Sequence, residues 1–338
     1  MSELATVGID LAKSVFQIHG VDENGLVLVR RQLRRSQLLA FFEKRPRCLI
    51  GIEACAGAHD WGRRLQELGH DVRLMPPSYV KPYVKRGKTD AADAAAICEA
   101  VTRPSMRFVS IKSEACSSIL VLHRTRDFLV RQRTQIGNAI RGHMTEFGII
   151  AAKGVQNVER LEEHLDRLPE AARMPVSLLF DQLSETDKRI EQLTEEIAET
   201  HAHDETSQRL ATIPGVGMLT ATIIAVTTPD VDNFDCARDY AAWLGLTPKP
   251  HSTGGKQRVG RISKMGNRYI RRLLYLGAMA QIMLRRRLKC GPGSDWLSNM
   301  LMRKKAKVVA IALAHRMART IFAVLRDGTR YKPQATAA

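Results

Sequence analysis

Two short apolar runs near the amino terminus, Thr6-Val-Gly-Ile-Asp10 and Cys48-Leu-Ile-Gly-Ile-Glu53, each end in a carboxylate. Apolar runs of four or five residues have the length of strands buried on both faces, and such strands are stable only beside others of their kind. The chain is therefore expected to build a sheet whose inner strands finish in acids. Val15-Phe-Gln-Ile-His-Gly-Val21 and Leu26-Val-Leu-Val29 flank Glu23-Asn-Gly25. Asn-Gly accepts positive φ, so these read as two strands of a hairpin. A helical stretch follows from Ser36 to Phe42 and another from Trp61 to Leu68, then a strand from Val72 to Met75 and the breaker Pro76-Pro77.

Three strands followed by αβαβ predict a ribonuclease H-like amino-terminal domain over 1–110. Its last helix starts in Lys88-Thr-Asp-Ala-Ala-Asp93, rich in alanine, with Thr89 or Asp90 as the cap. From Ser113 to Phe147 no proline intervenes, and Ile119, Leu122, Leu129, Ile136, Ile140 and Met144 recur at helical spacing beside Arg124, Arg126, Arg131, Arg133 and Arg141. Gly148 to Gly154 reads as a reversal. Leu179, Leu183, Thr186, Ile190, Leu193 and Ile197 then form a heptad seam. That seam serves either a helical hairpin within the chain or a coiled coil between protomers. The expected organisation is α/β plus all-α: a helical, coiled-coil middle over 111–205, an all-helical domain over 206–326, and a tail over 327–338.

Charge narrows the function. The chain carries +17, and after Pro248 there are 21 Lys/Arg against two acids, Asp295 and Asp327. A field so concentrated attracts a polyanion and releases its counterions. No apolar run reads as a membrane span, and the start has no basic region followed by an apolar stretch. The expected setting is the cytoplasm, at the nucleoid, with no membrane partner. Six cysteines lie far apart without a CxxC pair, which argues against zinc and disulfides and for small buried hydrophobes.

Asp10 and Glu53 close strands, and Asp90 and Asp93 share a helix face. Half-buried carboxylates at strand ends are costly unless something positive lies between them. Mg²⁺, or Mn²⁺ in its place, answers that need, and two such ions about 4 Å apart stabilise both oxygens of a phosphodiester exchange. Taken singly, Asp10 reads equally as a turn residue and Asp90 as a helix cap.

Gly8-Ile-Asp-Leu-Ala-Lys13, Gly51-Ile-Glu-Ala54 and Lys88-Thr-Asp-Ala-Ala-Asp93 together resemble the signature of the DEDD insertion-sequence transposases. These are bacterial recombinases with a RuvC-like amino-terminal domain. The resemblance covers most of the chain, and it implies that Asp10, Glu53, Asp90 and Asp93 are the family's catalytic metal ligands.

Leu210-Ala-Thr-Ile-Pro-Gly-Val-Gly217 before the helical run Met218 to Val226 reads as the hairpin of a helix–hairpin–helix unit. There Gly215 and Gly217 would let backbone amides approach a phosphate. A plain helix reversal needs glycine just as much. Trp243-Leu-Gly-Leu-Thr-Pro-Lys-Pro-His-Ser-Thr-Gly-Gly-Lys-Gln-Arg258 and Gly260-Arg-Ile-Ser-Lys-Met-Gly-Asn-Arg268 read as a loop, with Lys256, Arg258, Arg261, Lys264, Arg268, Arg271 and Arg272 as nucleic-acid contacts. A serine among such cations has the setting to attack phosphorus. The resemblance places a nucleophilic serine between the Gly-Leu-Thr-Pro and Ser-Lys-x-Gly stretches, where Ser252 stands. Ser263 and Thr253 are the other candidates.

The resemblance implies a covalent 5′-phosphoserine DNA intermediate, metal carboxylates supplied by a partner protomer, and a homodimer or tetramer acting on donor and target double-stranded DNA. It also implies guidance by a structured RNA from the element's flank. The Arg-rich Ser113–Phe147 helix, Arg285-Arg-Arg287 and Arg303-Lys-Lys305 are candidates to hold RNA or DNA. The alternatives are a RuvC-like junction nuclease, which uses water and needs no Ser252, and a non-enzymatic nucleic-acid binder whose acids are caps.

Overall fold

The computed structural model describes residues 3–85, 87, 89–253, 258–288 and 296–332. Lys88, Lys256, Cys290, Asp295 and residues 333–338 of the tail lie outside the described residues. The chain divides into two compact units, Met1–Ser117 and Ser118–Ala338.

In the first unit five strands, β1 (Thr6–Leu11), β2 (Val15–Val21), β3 (Val27–Arg34), β4 (Leu49–Glu53) and β5 (Asp71–Met75), form one sheet in the order β3-β2-β1-β4-β5. β1, β2 and β3 pair antiparallel, whereas β4 runs parallel to β1 and β5 parallel to β4. The helices are α1 (Leu38–Glu43), α2 (Ala58–Glu67), α3 (Pro77–Val80) and α4 (Asp90–Val101). Three strands then αβαβ is the order the sequence predicts. The third strand runs five residues beyond Val29, because it is the sheet edge. There Arg30, Arg31 and Arg34 face solvent and break the apolar pattern while blunting the unpaired edge. Pro77 does not end structure but opens α3, at a position where its missing N–H costs nothing.

Side chains alternate across the sheet. Val7, Ile9, Ile50 and Ile52 join Leu38, Phe42, Trp61 and Leu65 in one core on the α1–α2 side. On the other side α4 contributes Ala96, Ile97, Ala100 and Val101 to a second core with Met75 and Val80. Gly8 makes the second contact possible. A Cβ there would collide with the Ala94 carbonyl oxygen and the Cys98 amide nitrogen and lie 2.8 Å from Cys98 Cβ. Only glycine lets the backbone of α4 lie so close on β1.

The second unit is mostly helical. α5 (Glu114–Glu146), whose first turn carries the division between the units, and α6 (Glu170–Ala202) are long. α7 (Glu205–Ala211), α8 (Met218–Thr227), α9 (Ala237–Trp243), α10 (Arg268–Arg287), α11 (Trp296–Arg303) and α12 (Ala306–Asp327) follow. Ile136, Ile140 and Met144 of α5 pack with Val176, Phe180 and Leu183 of α6. Arg133 pairs with Asp187 at 3.0 Å, and Arg126 donates to Thr194 at 2.7 Å. The heptad seam is thus consumed inside the chain, in favour of the helical hairpin.

Three expectations need correcting. The region after His201 is not all-helical, because Pro248–Pro250 and Val259–Ile262 pair as an antiparallel ribbon, β6 and β7. These strands are so short that their alternation was hidden among Gly, Ser and Pro. By length and composition α12 is long and apolar enough to cross a membrane, although half of its most apolar window is buried inside the fold. Finally, Cys48 and Cys98 are buried free thiols, but Cys55 and Cys236 are exposed.

Gly8→Ala is expected to destabilise the protein by about 1–3 kcal/mol, the usual cost of overpacking. Gly142→Ala, on an exposed face of α5 where an added Cβ meets nothing within 4 Å, should be neutral or stabilising by up to about 1 kcal/mol. Urea denaturation of the two variants beside the wild type checks the contrast.

Candidate active site

Alternation fixes where the acids of β1 and β4 point. Val7 and Ile9 face α2, so Gly8 and Asp10 face α4; by the same parity Gly51 and Glu53 face α4. The parallel register pairs Gly8 with Gly51 and Ile9 with Ile52, so Asp10 and Glu53 come one step later on neighbouring strands. Such strands lie about 4.8 Å apart. α4 runs against β1, and Gly8 lies opposite Ala94 and Cys98. Asp10, two residues further up, therefore comes level with the first turn of α4, which carries Asp90 and Asp93.

Thr89 is the cap of α4, its hydroxyl accepting from Ala92 N at 3.2 Å. Asp90 is consequently not spent as a cap. Both aspartates gain from the positive end of the helix dipole. The four carboxylates feel one another. Burial first, then Asp93, Asp90 and Glu53, push the Asp10 pKa up to about 6, and burial with Asp93 raises that of Glu53. Among the described residues none of the four has an ion-pair or side-chain hydrogen-bond partner. Also among the described residues, no three His, Cys, Asp or Glu side chains already stand as a group that could hold a metal ion. The acids share a field, and like charges with no counter-charge between them spread apart. Cys55, two residues beyond Glu53 and exposed at the surface, has its pKa raised by partial desolvation of the sulfur and by the charges of Glu53 and Asp10. The repeated Gly-x-acid spacing, Gly8-x-Asp10 and Gly51-x-Glu53, was the sequence signal for the α4 contact, and reading the acids alone missed it.

In the second unit the hairpin β6–β7 is closed by His251 N donating to Arg258 O at 2.7 Å. Ser252 follows at the exposed tip, with no side-chain partner among the described residues. Ser263 is half-buried, its amide donating to Thr247 O at 2.9 Å. Arg258, Arg261, Lys264 and Arg268 are exposed. Two of the expected contacts have internal work instead. Arg271 donates to Leu244 O at 3.1 Å and Gly266 O at 2.5 Å, tying the loop to α10, and Arg272 pairs with Asp127. His123, fully buried, bridges Thr222 at 2.9 Å and Tyr269 at 3.3 Å, and burial lowers its pKa to about 4. This neutral link from α5 to α8 and to the start of α10 escaped sequence reading, since an isolated histidine carries no pattern.

The turn between α7 and α8 holds Gly215 at φ 82°, where an added Cβ would lie 3.0 Å from Gly277 O and 3.1 Å from Met317. Gln281 of α10 donates to Pro214 O at 2.6 Å. Packing on α10 and α12 therefore accounts for Gly215 without a ligand. Gly217, the exposed N-cap of α8, has open space around it. Of the five arginines on α5, four are engaged: Arg126 and Arg133 with α6, Arg131 with Asp127 at 3.6 Å, and Arg141 with the carbonyls of Ala151, Ala152 and Gly154. Arg124 is the exposed one without a partner among the described residues.

Comparison with known proteins finds transposase matches along both parts of the chain. Residues 7–149 match a DEDD-type transposase family of IS110, and residues 207–290 match the transposase IS116/IS110/IS902 family. A Sinorhizobium fredii protein classed with the transposases is 44% identical over 335 residues, 98% of this chain and 87% of the relative. The transposase for insertion sequence element IS1328 of Yersinia enterocolitica is 39% identical, covering 97% of this chain and 99% of its own. That for IS1111A of Coxiella burnetii is 35% identical, covering 98% and 92%. An acid-bearing α/β unit and a basic helical unit, both matched to transposases, define a DNA transposase. The chain belongs to the IS110/IS116 family of insertion-sequence transposases.

A pH titration of stability tests the acid field. Folded Asp10 keeps its proton up to about pH 6, whereas the ordinary value is 3.8, so without divalent metal stability falls as pH rises between them. Thermal midpoints from pH 4 to 7 in chelator should fall in the wild type more steeply than in Asp10→Asn, and Mg²⁺ at pH 7 should recover the loss only in the wild type.

Proposed function

We propose that this transposase cuts and rejoins DNA by metal-assisted phosphoryl transfer in a ribonuclease H/RuvC-like domain, with Ser252 as nucleophile. The observation that carries the reading is the group of four carboxylates, which raise the pKa of Asp10 and Glu53 and have no cationic partner among the described residues. An all-oxygen, all-anionic donor set fits a hard divalent cation, Mg²⁺ or Mn²⁺, and a small rotation of each side chain onto an ion would relieve the repulsion. Asp10, Glu53, Asp90 and Asp93 would hold it. When bound, such an ion polarises a phosphodiester and steadies the charge on its leaving oxygen.

The chain's own groups do the rest. Ser252 Oγ gives up its proton to solvent or a nearby base and bonds to the DNA 5′ phosphate as the 3′ oxygen leaves and becomes a 3′ hydroxyl. Attack by a 3′ hydroxyl of the partner strand then restores the diester and frees the serine. Exposed Arg258, Arg261, Lys264 and Arg268 flank the hairpin and would neutralise phosphate charge as it develops. Lys256 belongs to the same proposal, and the exposed amide side of Gly217 suits a backbone phosphate. The resemblance supports the remaining parts: carboxylates and serine from different protomers of a dimer or tetramer, and a structured RNA that selects donor and target. Exposed Arg286 and Arg287 on α10, Arg303, Lys304 and Lys305 at the end of α11, and Arg124 on α5 are further candidates to hold nucleic acid.

Incubation of labelled element-end DNA with protein, flanking RNA and Mg²⁺ should give an adduct that survives denaturing electrophoresis. Ser252→Ala should abolish it, and Glu53→Gln should reduce it at least about 100-fold. An adduct of undiminished yield in Ser252→Ala would remove Ser252 as nucleophile. Metal-dependent cutting without any adduct would instead point to a junction nuclease that uses water.

A further inference from the structure

A cavity of about 790 Å³ opens in the first unit between the β2–β3 hairpin and α4. Its wall on the helix side is smooth, because Ala91, Ala92, Ala95 and Ala96 stand there. These alanines share the first turns of α4 with Asp90 and Asp93, on the neighbouring face. Opposite them are His19 of β2 and Arg30 of β3, and the segment before α4 adds Tyr83 and Lys85. The Nδ1 of His19 is shielded from solvent and has no hydrogen-bond partner among the described residues. Such an atom is costly to leave unmade, so it marks a place where a ligand can complete the structure.

The charges around His19 are net positive. Arg30 and Lys85 both lie close enough to lower its pKa, and neither has an ion-pair partner among the described residues. Three acids also line the cavity, yet two are occupied. Asp22 accepts from Asn24 N and Leu26 N in the hairpin turn, and Glu99 is bonded to Arg103 at 2.6 Å. Glu23 is at the exposed tip of that turn.

We infer that this cavity binds one nucleotide of a single-stranded nucleic acid, with its base against the alanine wall beside Tyr83 and His19, and its phosphate at Arg30 and Lys85. Flat apolar walls with an aromatic ring accept any base, and flanking cations track the backbone. A strand anchored there runs past the first turn of α4, one helix face from the acids. The inference rests on the nucleic-acid reading above but not on Ser252 or on bound metal.

The test is fluorescence anisotropy of the full chain in chelator, with a labelled single-stranded DNA 12-mer and the RNA of the same sequence as separate arms. Arg30→Ala with Lys85→Ala, both at exposed positions that leave the core intact, should weaken binding on the order of tenfold in at least one arm. The arm affected identifies the strand as DNA or RNA. Gly142→Ala, at a position that does not line this cavity, should bind as the wild type does. Because the assay in chelator reads binding without cutting, failure of the pocket stays separable from failure of the metal-assisted chemistry. With 5-bromouridine in the strand, ultraviolet light should crosslink the peptide carrying Tyr83. Unchanged affinity of the double variant in both arms, or crosslinks only to residues beyond Ser117, would overturn the inference.

Discussion

The close contact of α4 with β1 at Gly8 governs the chemistry of the first unit. Because no side chain stands between them, the helix axis lies low on the sheet and its first turn comes level with the ends of β1 and β4. Four carboxylates from three separate segments are thereby set in one field. Desolvation and mutual repulsion, which would destabilise an ordinary fold, are here directed at a single place, where the proposed cation would offset them. The core on the opposite face of the sheet holds the strands rigid against that repulsion.

The second unit sorts its cations by a different rule. The residues after Pro248 carry a net +19 against +17 for the whole chain, but several of the chain's arginines are built into the fold. Arg271 fastens a loop by its carbonyls, Arg272 is paired with Asp127, and most arginines of α5 hold α6 or the turn after α5. Those facing solvent include the cations around the β6–β7 hairpin, Arg286 and Arg287 at the end of α10, Arg303, Lys304 and Lys305 at the end of α11, and Lys307, Arg316 and Arg319 on α12. Part of the charge is thus used as internal hydrogen-bond donors, and the rest is left exposed.

Much of this was legible in the sequence because β1 and β4 are short, apolar and carry an acid at the end, and because helix α4 is written in alanines. The acids could be named and assigned to β1, β4 and α4, since strand periodicity and helix caps are local properties. Charge density was legible, but not its disposition, because whether Arg133 meets Asp187 or a phosphate depends on residues 54 positions apart. The heptad seam of α6 was readable as a seam but not as to its partner, since intramolecular and intermolecular packing impose the same spacing. The β6–β7 ribbon was missed because three or four residues of strand carry too little alternation among prolines and glycines. Gly215 was read as room for a phosphate to approach the backbone, whereas in the structure α10 and α12 lie close against it.

The measurement closest to the central claim is anomalous X-ray diffraction from crystals of the protein soaked in Mn²⁺. A peak is expected between the ends of β1 and β4 and the start of α4, with oxygens of Asp10, Glu53 and at least one of Asp90 and Asp93 about 2.1 Å away. Crystals that bind Mn²⁺ only elsewhere, with the four carboxylates still apart, would contradict it.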